Sequence, residues 1–349
     1  MSRPSPKEFI EAAVCHVIRM AGYLLPRSVL WLVLFPVAAI KALWELAYAM
    51  PTVRHFNRLP VSLRPSVGRG MWLWRLWSRR AQLNLTKLLY LWPDRLQKSR
   101  WQSLCRYDGI ERFESIRAES RPVILAVLHF GPLTVLVHWL RACGVPAAAL
   151  ADKDLGGRSM YRRYVNRLSD RANGLAGVPL LIRTDQHRDA IQFLTDGRVL
   201  IVTMDGESRH RVKVREGDFS FDAAPGAFQL AEMSNAVVIP CLISAEPRFE
   251  FTIHFGRPIP PTDLVDRRSQ HSACQQALRD LLPVIQDRPE LCSYELLYRL
   301  YRRDPEAGSD SQEVRTIGSE TAVEAVGEDQ SSLHGSCNQF SQRVAAQGS

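Results

Sequence analysis

The chain has 349 residues, 46% of them hydrophobic and 23% charged, which is apolar material for one sizeable core with appendages. Its seven cysteines, at 15, 105, 143, 241, 274, 292 and 337, form no CxxC pair and no Cys/His cluster at metal-ligand spacing. That pattern argues against a disulfide framework or a structural metal and suits reduced, cytosol-facing thiols. The net charge of +9 is unevenly spread: from Asp304 onward eight acidic residues face only Arg315 and Arg343, a net −6 that leaves +15 on residues 1–303. Such a body is drawn to anionic lipid headgroups, nucleic acid or an acidic protein.

The first element is an apolar stretch running from Tyr23 to Met50. Its uncharged part, residues 29–40, is too short for one bilayer span of about 30 Å, and lengthening it brings in Arg27, Lys41 and Glu45. Pro36 predicts a kink. A tilted single span, an in-plane amphipathic anchor and an ordinary buried helix pair all fit this stretch. No small-residue cleavage site follows it, which disfavours a removed signal peptide.

Next, tryptophans at 72, 74, 77, 92 and 101 interleave with Arg69, Arg75, Arg79, Arg80 and Lys87. Indole and guanidinium together suit the headgroup level of a membrane, although a core helix with solvated arginines has the same composition. Single-stranded nucleic acid would also accept such a surface, but no nucleic-acid motif supports it, and none is expected as a partner.

From residue 121 the rhythm alternates. Strands are predicted at 122–128, 145–151, 178–182, 199–204, 236–243 and 249–255, with helices at 132–143, 160–172, 185–195 and 226–234. Alternation of this kind predicts an α/β fold, a mainly parallel sheet flanked by helices, with chemistry at the carboxyl ends of its strands. The helix over 160–172 carries Arg162, Arg163 and Arg167, a basic face that is either solvated or a dock for an acidic carrier protein. After Asp304 the chain turns Ser-, Gly-, Glu- and Gln-rich, which predicts disorder. The expected organisation is an anchor region over 1–50, an α/β domain over 51–303 and an acidic tail over 304–349.

The residue that invites chemistry is His129, directly after the apolar run of 122–128, with Phe130, Gly131 and Pro132 leading into the next helix. An imidazole at a strand-to-helix junction sits in the expected crevice, where helix-opening amides can stabilise developing negative charge. Histidines in this setting also serve as core or capping groups.

The stretch Leu128-His-Phe-Gly-Pro-Leu-Thr134 resembles the first motif of the lysophospholipid acyltransferase superfamily, and specifically its lipid A biosynthesis lauroyl/myristoyl acyltransferase branch. The similarity takes in Phe56-Asn57, Trp92-Pro93-Asp94, Gly177 through Arg183, Met204-Asp205-Gly206-Glu207, the Gly226 to Ala231 run and Val238-Ile239-Pro240, in that order, over roughly residues 25–300. The resemblance implies a membrane-bound enzyme at the inner membrane with its catalytic domain facing the cytoplasm. It would move a fatty acyl group from a thioester on acyl carrier protein or coenzyme A to a lipid hydroxyl or amine, with no cofactor and no metal. His129 would be the general base, Arg183 and Glu207 would contact the acceptor, and Phe130 and Gly131 would line the substrate site.

The chain departs from that motif at one position: five residues after His129, where the family carries Asp or Glu, stands Thr134. A hydroxyl there offers a hydrogen bond but no charge to steady an imidazolium. Three readings stay open. Asp205 or Glu207 supplies the carboxylate from another loop, the acceptor needs less base assistance, or the protein is catalytically silent and binds lipid or acyl carrier.

Overall fold

The computed structural model describes residues 24–48, 68–86, 104–151, 181–206, 210–216, 219–246 and 250–293, with residues 13, 16–18, 20, 21, 208, 296 and 297 besides. The side chains of Arg27, Thr134, Ala151, Leu181, Arg183 and Phe219 are outside that description. The predicted helix over 160–172, Glu207 and the tail from Asp304 lie wholly outside the described residues. All described elements belong to one unit, residues 1–302.

Two helices come first. Helix α1 (Arg27–Tyr48) runs unbroken through Pro36, whose missing N–H forfeits one hydrogen bond in the turn before it. Its apolar part, Ser28–Ala47, is 20 residues long, about 30 Å as a helix, and so long and apolar enough to cross a bilayer. One face, with Leu30, Ala38, Ala39 and Ala42, is buried, and helix α2 (Arg69–Thr86) packs against it. The indole of Trp77 donates to the Ala39 carbonyl at 2.9 Å, and Asn84 links Lys41 (3.1 Å) and Glu45 (3.2 Å), which also pair with each other. Two of the three charges that interrupt the apolar stretch, Lys41 and Glu45, are thus paired with each other and with Asn84 of α2. The opposite face exposes Val29, Leu32, Val33, Val37, Ile40, Leu43 and Trp44.

The remaining elements are β1 (Cys105–Asp108), α3 (Ile110–Ala118), β2 (Val123–Val127), α4 (Leu133–Ala142), β3 (Ala147–Ala151), β4 (Leu181–Arg183), α5 (His187–Thr195), β5 (Val199–Thr203), β6 (Val212–Glu216), β7 (Phe219–Ala223), α6 (Gly226–Ser234), β8 (Val237–Ala245), β9 (Phe251–Phe255) and α7 (Arg267–Asp287). Seven strands form one sheet in the order β1-β9-β8-β2-β5-β3-β4. The five from β8 to β4 are parallel, while β9 is antiparallel to β8 and β1 parallel to β9. Strands β6 and β7 make a separate antiparallel hairpin.

Strand β2 lies at the middle of the sheet, and its Val-Ile-Leu-Ala-Val run is buried throughout. The period of two divides the strand between two cores. Ile124 and Ala126 join the residues of α5, α6 and α7, whereas Val123, Leu125 and Val127 join those of α1, α3 and α4. Apolar residues on both faces are what a parallel sheet with helices on each side requires.

Strands β2, β3, β5, β8 and β9 and helices α4, α5 and α6 stand close to where periodicity predicts them. Four features were not read from the sequence: β1 with α3, the β6–β7 hairpin, α7, and the antiparallel edge. Helix α7 opens on a capping box in which Ser269 N donates to Asp266 Oδ1 (2.6 Å) and Asp266 N donates to Ser269 Oγ (3.0 Å).

Candidate active site

Because β2 and β5 pair in register, with Val127 opposite Thr203, both chains leave the sheet at the same edge and the same level. Met204 N donates to Val127 O (2.7 Å), carrying the ladder one step beyond the strands. His129 and Asp205, 76 residues apart in sequence, therefore emerge side by side.

The Asp205 carboxylate accepts two groups of His129. The backbone N–H reaches Oδ1 and Oδ2 at 3.2 and 3.0 Å, and ring Nδ1 stands 2.8 Å from Oδ1. A carboxylate has only lone pairs to offer, so Nδ1 carries the hydrogen and Nε2 the lone pair. The Asp205 side chain is 2% exposed and the imidazole 46% exposed. The orienting group is thus sealed behind the ring, and the ring faces outward.

The turn that presents Asp205 is itself braced. Ala224 N, just after β7, donates to Met204 O (2.7 Å), and Arg211 donates to Gly206 O and Asp222 O, each at 3.2 Å. On the other side, Gly131 adopts φ +60°, and a Cβ there would lie 1.7 Å from the Ile243 carbonyl oxygen. Only glycine lets the loop pass so close to β8 while turning left-handed. Pro132 is the residue just before the first turn of α4.

The other expected site residues fall in different places. Thr134 is the second residue of α4. Arg183 ends β4, three strands from β2 and so about 14 Å away. The registers that align Ala151 with Arg183, Ala149 with Ile201 and Val127 with Thr203 put it at the same carboxyl edge as His129. Phe130 departs from expectation: it is wholly buried in the core and bridges to Cys292, so its ring is packing rather than a substrate-facing wall. Gly131 contributes its backbone shape.

Sequence reading also passed over the segment after α7. Ser293 N donates to His129 O (2.7 Å) and Gly131 N donates to Leu291 O (2.9 Å). No periodic signal marks residues 288–293, because their role depends on a loop far away in the chain.

An imidazole oriented by a buried carboxylate at the carboxyl edge of a parallel sheet is an arrangement suited to general-base chemistry. Residues 83–303 match the family of bacterial lipid A biosynthesis acyltransferases, and the chain belongs to that family. Among curated proteins none matches the sequence. A crystal structure of the 1-acyl-sn-glycerophosphate (LPA) acyltransferase from Thermotoga maritima is similar at 15% identity, over 75% of this chain and 99% of that one, with a TM-score of 0.36.

Proposed function

We propose that this family member transfers a fatty acyl group from a thioester, on acyl carrier protein or coenzyme A, to a hydroxyl or amine of a lipid acceptor, with His129 as general base. The observation that carries the reading is the 2.8 Å contact between His129 Nδ1 and the buried Asp205 carboxylate. In the forward step Nε2 takes the proton from the acceptor as its oxygen or nitrogen attacks the thioester carbonyl. The tetrahedral oxyanion collapses, the C–S bond breaks, and the imidazolium returns its proton to the departing thiolate. The products are an acylated lipid and a free carrier thiol, with no acyl-enzyme between.

Asp205 takes the role that a carboxylate five residues after the histidine plays in the motif. It orients the ring through Nδ1 and offsets the imidazolium charge as it develops, so Thr134 leaves the site without a deficit. Arg183, at the same edge of the sheet, suits an anionic group of the acceptor or donor.

The exposed apolar stripe of α1, with Met71 and Trp74 exposed on α2, supports an anchor lying in the plane of a membrane rather than an isolated span, because the other face of α1 is occupied by α2.

The test is turnover with acyl thioester donors and a total lipid extract as acceptor. Wild type is expected to acylate lipid, His129→Ala to lose about 10²–10⁴-fold in kcat, and Thr134→Glu to gain nothing. Full activity in His129→Ala would sink the base. A wild type without turnover that becomes active as Thr134→Glu would instead identify a silent lipid- or carrier-binding protein.

A further inference from the structure

The loop that carries His129 is held from behind by the segment after α7, and that segment is held in turn by α2. Three consecutive residues of the loop are strapped: His129 O accepts from Ser293 N, Phe130 pairs with Cys292 as an antiparallel bridge, and Gly131 N donates to Leu291 O. The strap opens with the single turn Pro289–Leu291. From α2, Arg80 Nη2 donates to the Cys292 carbonyl (3.0 Å), and Arg79 Nε stands 3.7 Å from Glu290 Oε1, whose side chain is 5% exposed.

Charge converges on the same point. The buried Cys292 thiol is pushed up chiefly by burial, and it feels Arg80, Asp205 and Glu290 together. Buried carboxylates such as Asp205 and Glu290 are costly without cations nearby. Arg79 meets the Glu290 carboxylate, and Arg80 holds the strap by its backbone at Cys292.

We infer that Arg80 is a positioning residue for acyl transfer: its grip on the strap at Cys292, and the positive charge it brings behind the loop that pairs with Cys292 at Phe130, set both the location and the basicity of His129. The inference rests on the general-base reading above. A fixed guanidinium is suited to this double duty, because it stays ionised at any working pH and its fork can hold a carbonyl while facing carboxylates. Displacing a reacting group by about 1 Å costs on the order of 10²-fold in rate, which is the scale at which a strap of three contacts matters.

The electrostatic part has a definite sign. Among the described residues, the charged or titratable groups around the site include Asp205 beyond β5, Arg79 and Arg80 on α2, Glu290 and Cys292 on the strap, and Arg211, which braces the Asp205 turn. A nearby cation disfavours the imidazolium. Removing it lets His129 keep its proton to higher pH, so the base form appears later and the acid limb of the kcat profile moves upward.

The experiment compares wild type, Arg80→Met, Arg80→Lys and His129→Ala in full-length protein, with kcat and KM measured across pH and the thermal midpoint alongside. For Arg80→Met we expect kcat to fall about 10²-fold with KM within about twofold, and the acid limb to rise by about half a pH unit or more. Arg80→Lys keeps the charge and should return the limb to its wild-type position at an intermediate kcat. Should Arg80→Met fail to fold, Arg80→Lys carries the test, and a limb displaced from wild type in that variant overturns the inference. So does wild-type kcat in Arg80→Met, or a loss of kcat that follows loss of folded protein with an unmoved limb. If His129→Ala is inactive while the Arg80 variants match wild type, this inference alone fails. If His129→Ala remains active, the general-base reading fails with it.

Discussion

Two histidines of this protein each meet an aspartate through Nδ1, and they differ in everything else that matters. His129 faces Asp205 at 2.8 Å, and that carboxylate is sealed to 2% exposure and also accepts the His129 backbone N–H. His254, on β9, faces Asp108 at 3.2 Å, a carboxylate 72% exposed at the sheet edge, and its Nε2 is within hydrogen-bond distance of Ser244 Oγ (3.1 Å). An Asp–His contact alone therefore does not make a base. Burial of the carboxylate strengthens its hold on the ring, because solvent screens the exposed pair. The rings differ in exposure too, 46% for His129 against 21% for His254, and the His254 ring bonds the serine on the neighbouring strand.

That contrast can be broken most severely at the carboxylates. Asp205→Asn removes the charge while keeping the shape, and kcat for acyl transfer is expected to fall on the order of 10²–10⁴-fold with the fold retained. Asp108→Asn and His254→Ala should each leave kcat within about twofold, the usual scale for surface positions away from the reacting atoms. On the proposed general-base mechanism His129 and Asp205 act as one unit, and the double variant His129→Ala with Asp205→Asn should be scarcely slower than His129→Ala. An additive loss would mean that Asp205 works through some other group.

A middle-sized effect sharpens the comparison at the backbone. Gly131 and Gly144 both have positive φ, but a Cβ on Gly131 would strike the Ile243 carbonyl, while one on Gly144 would meet nothing within 4 Å. Gly144→Ala should cost about 1–2 kcal/mol from backbone strain alone. Gly131→Ala should cost more than about 3 kcal/mol, or displace the loop and abolish activity. Denaturant midpoints with unchanged slopes would measure both.

The last expected effect comes from a third histidine, one enclosed in the core. His138 lies buried on α4, and burial, reinforced by the Arg141 charge, lowers its pKa to about 4. Its ordinary value is about 6.5, so the unfolded chain takes up a proton that the folded one refuses. Stability is therefore full above about pH 6.5, declines as pH falls towards 4, and levels off below, a loss of up to about 3 kcal/mol. His138→Leu should flatten that part of the stability–pH curve in urea unfolding, whereas His254→Ala should not.

Much of this architecture was legible from local pattern. The apolar run before His129 reads as a buried strand because a central strand covered on both faces needs no polar positions, and the helix after Pro132 reads from its own periodicity. Gly131 reads in the sequence only as part of the substrate site, and its turn role emerges from its φ and its approach to Ile243. The run at 29–40 was legible as apolar, but its continuity through Pro36 and the neutralisation of Lys41 and Glu45 depended on Asn84 of a second helix. Helix α7 and the antiparallel edge left weaker marks, since their apolar positions fit several partners.

The identity of the carboxylate is the clearest case of something beyond local reach. Thr134 marks a gap in the motif, and Asp205 could be proposed for it but not chosen over Glu207, because neither periodicity nor spacing records which strand lies beside which. Strand order supplies the contact: β5 pairs with β2, in the register that brings Met204 to Val127, and so carries Asp205 to His129. The same holds for Arg80 and residues 288–293, whose importance arises only when chain segments more than 200 residues apart pack together. Local sequence specifies elements through short-range sterics and burial, whereas the His129–Asp205 pair is a long-range contact, and only tertiary packing determines its members.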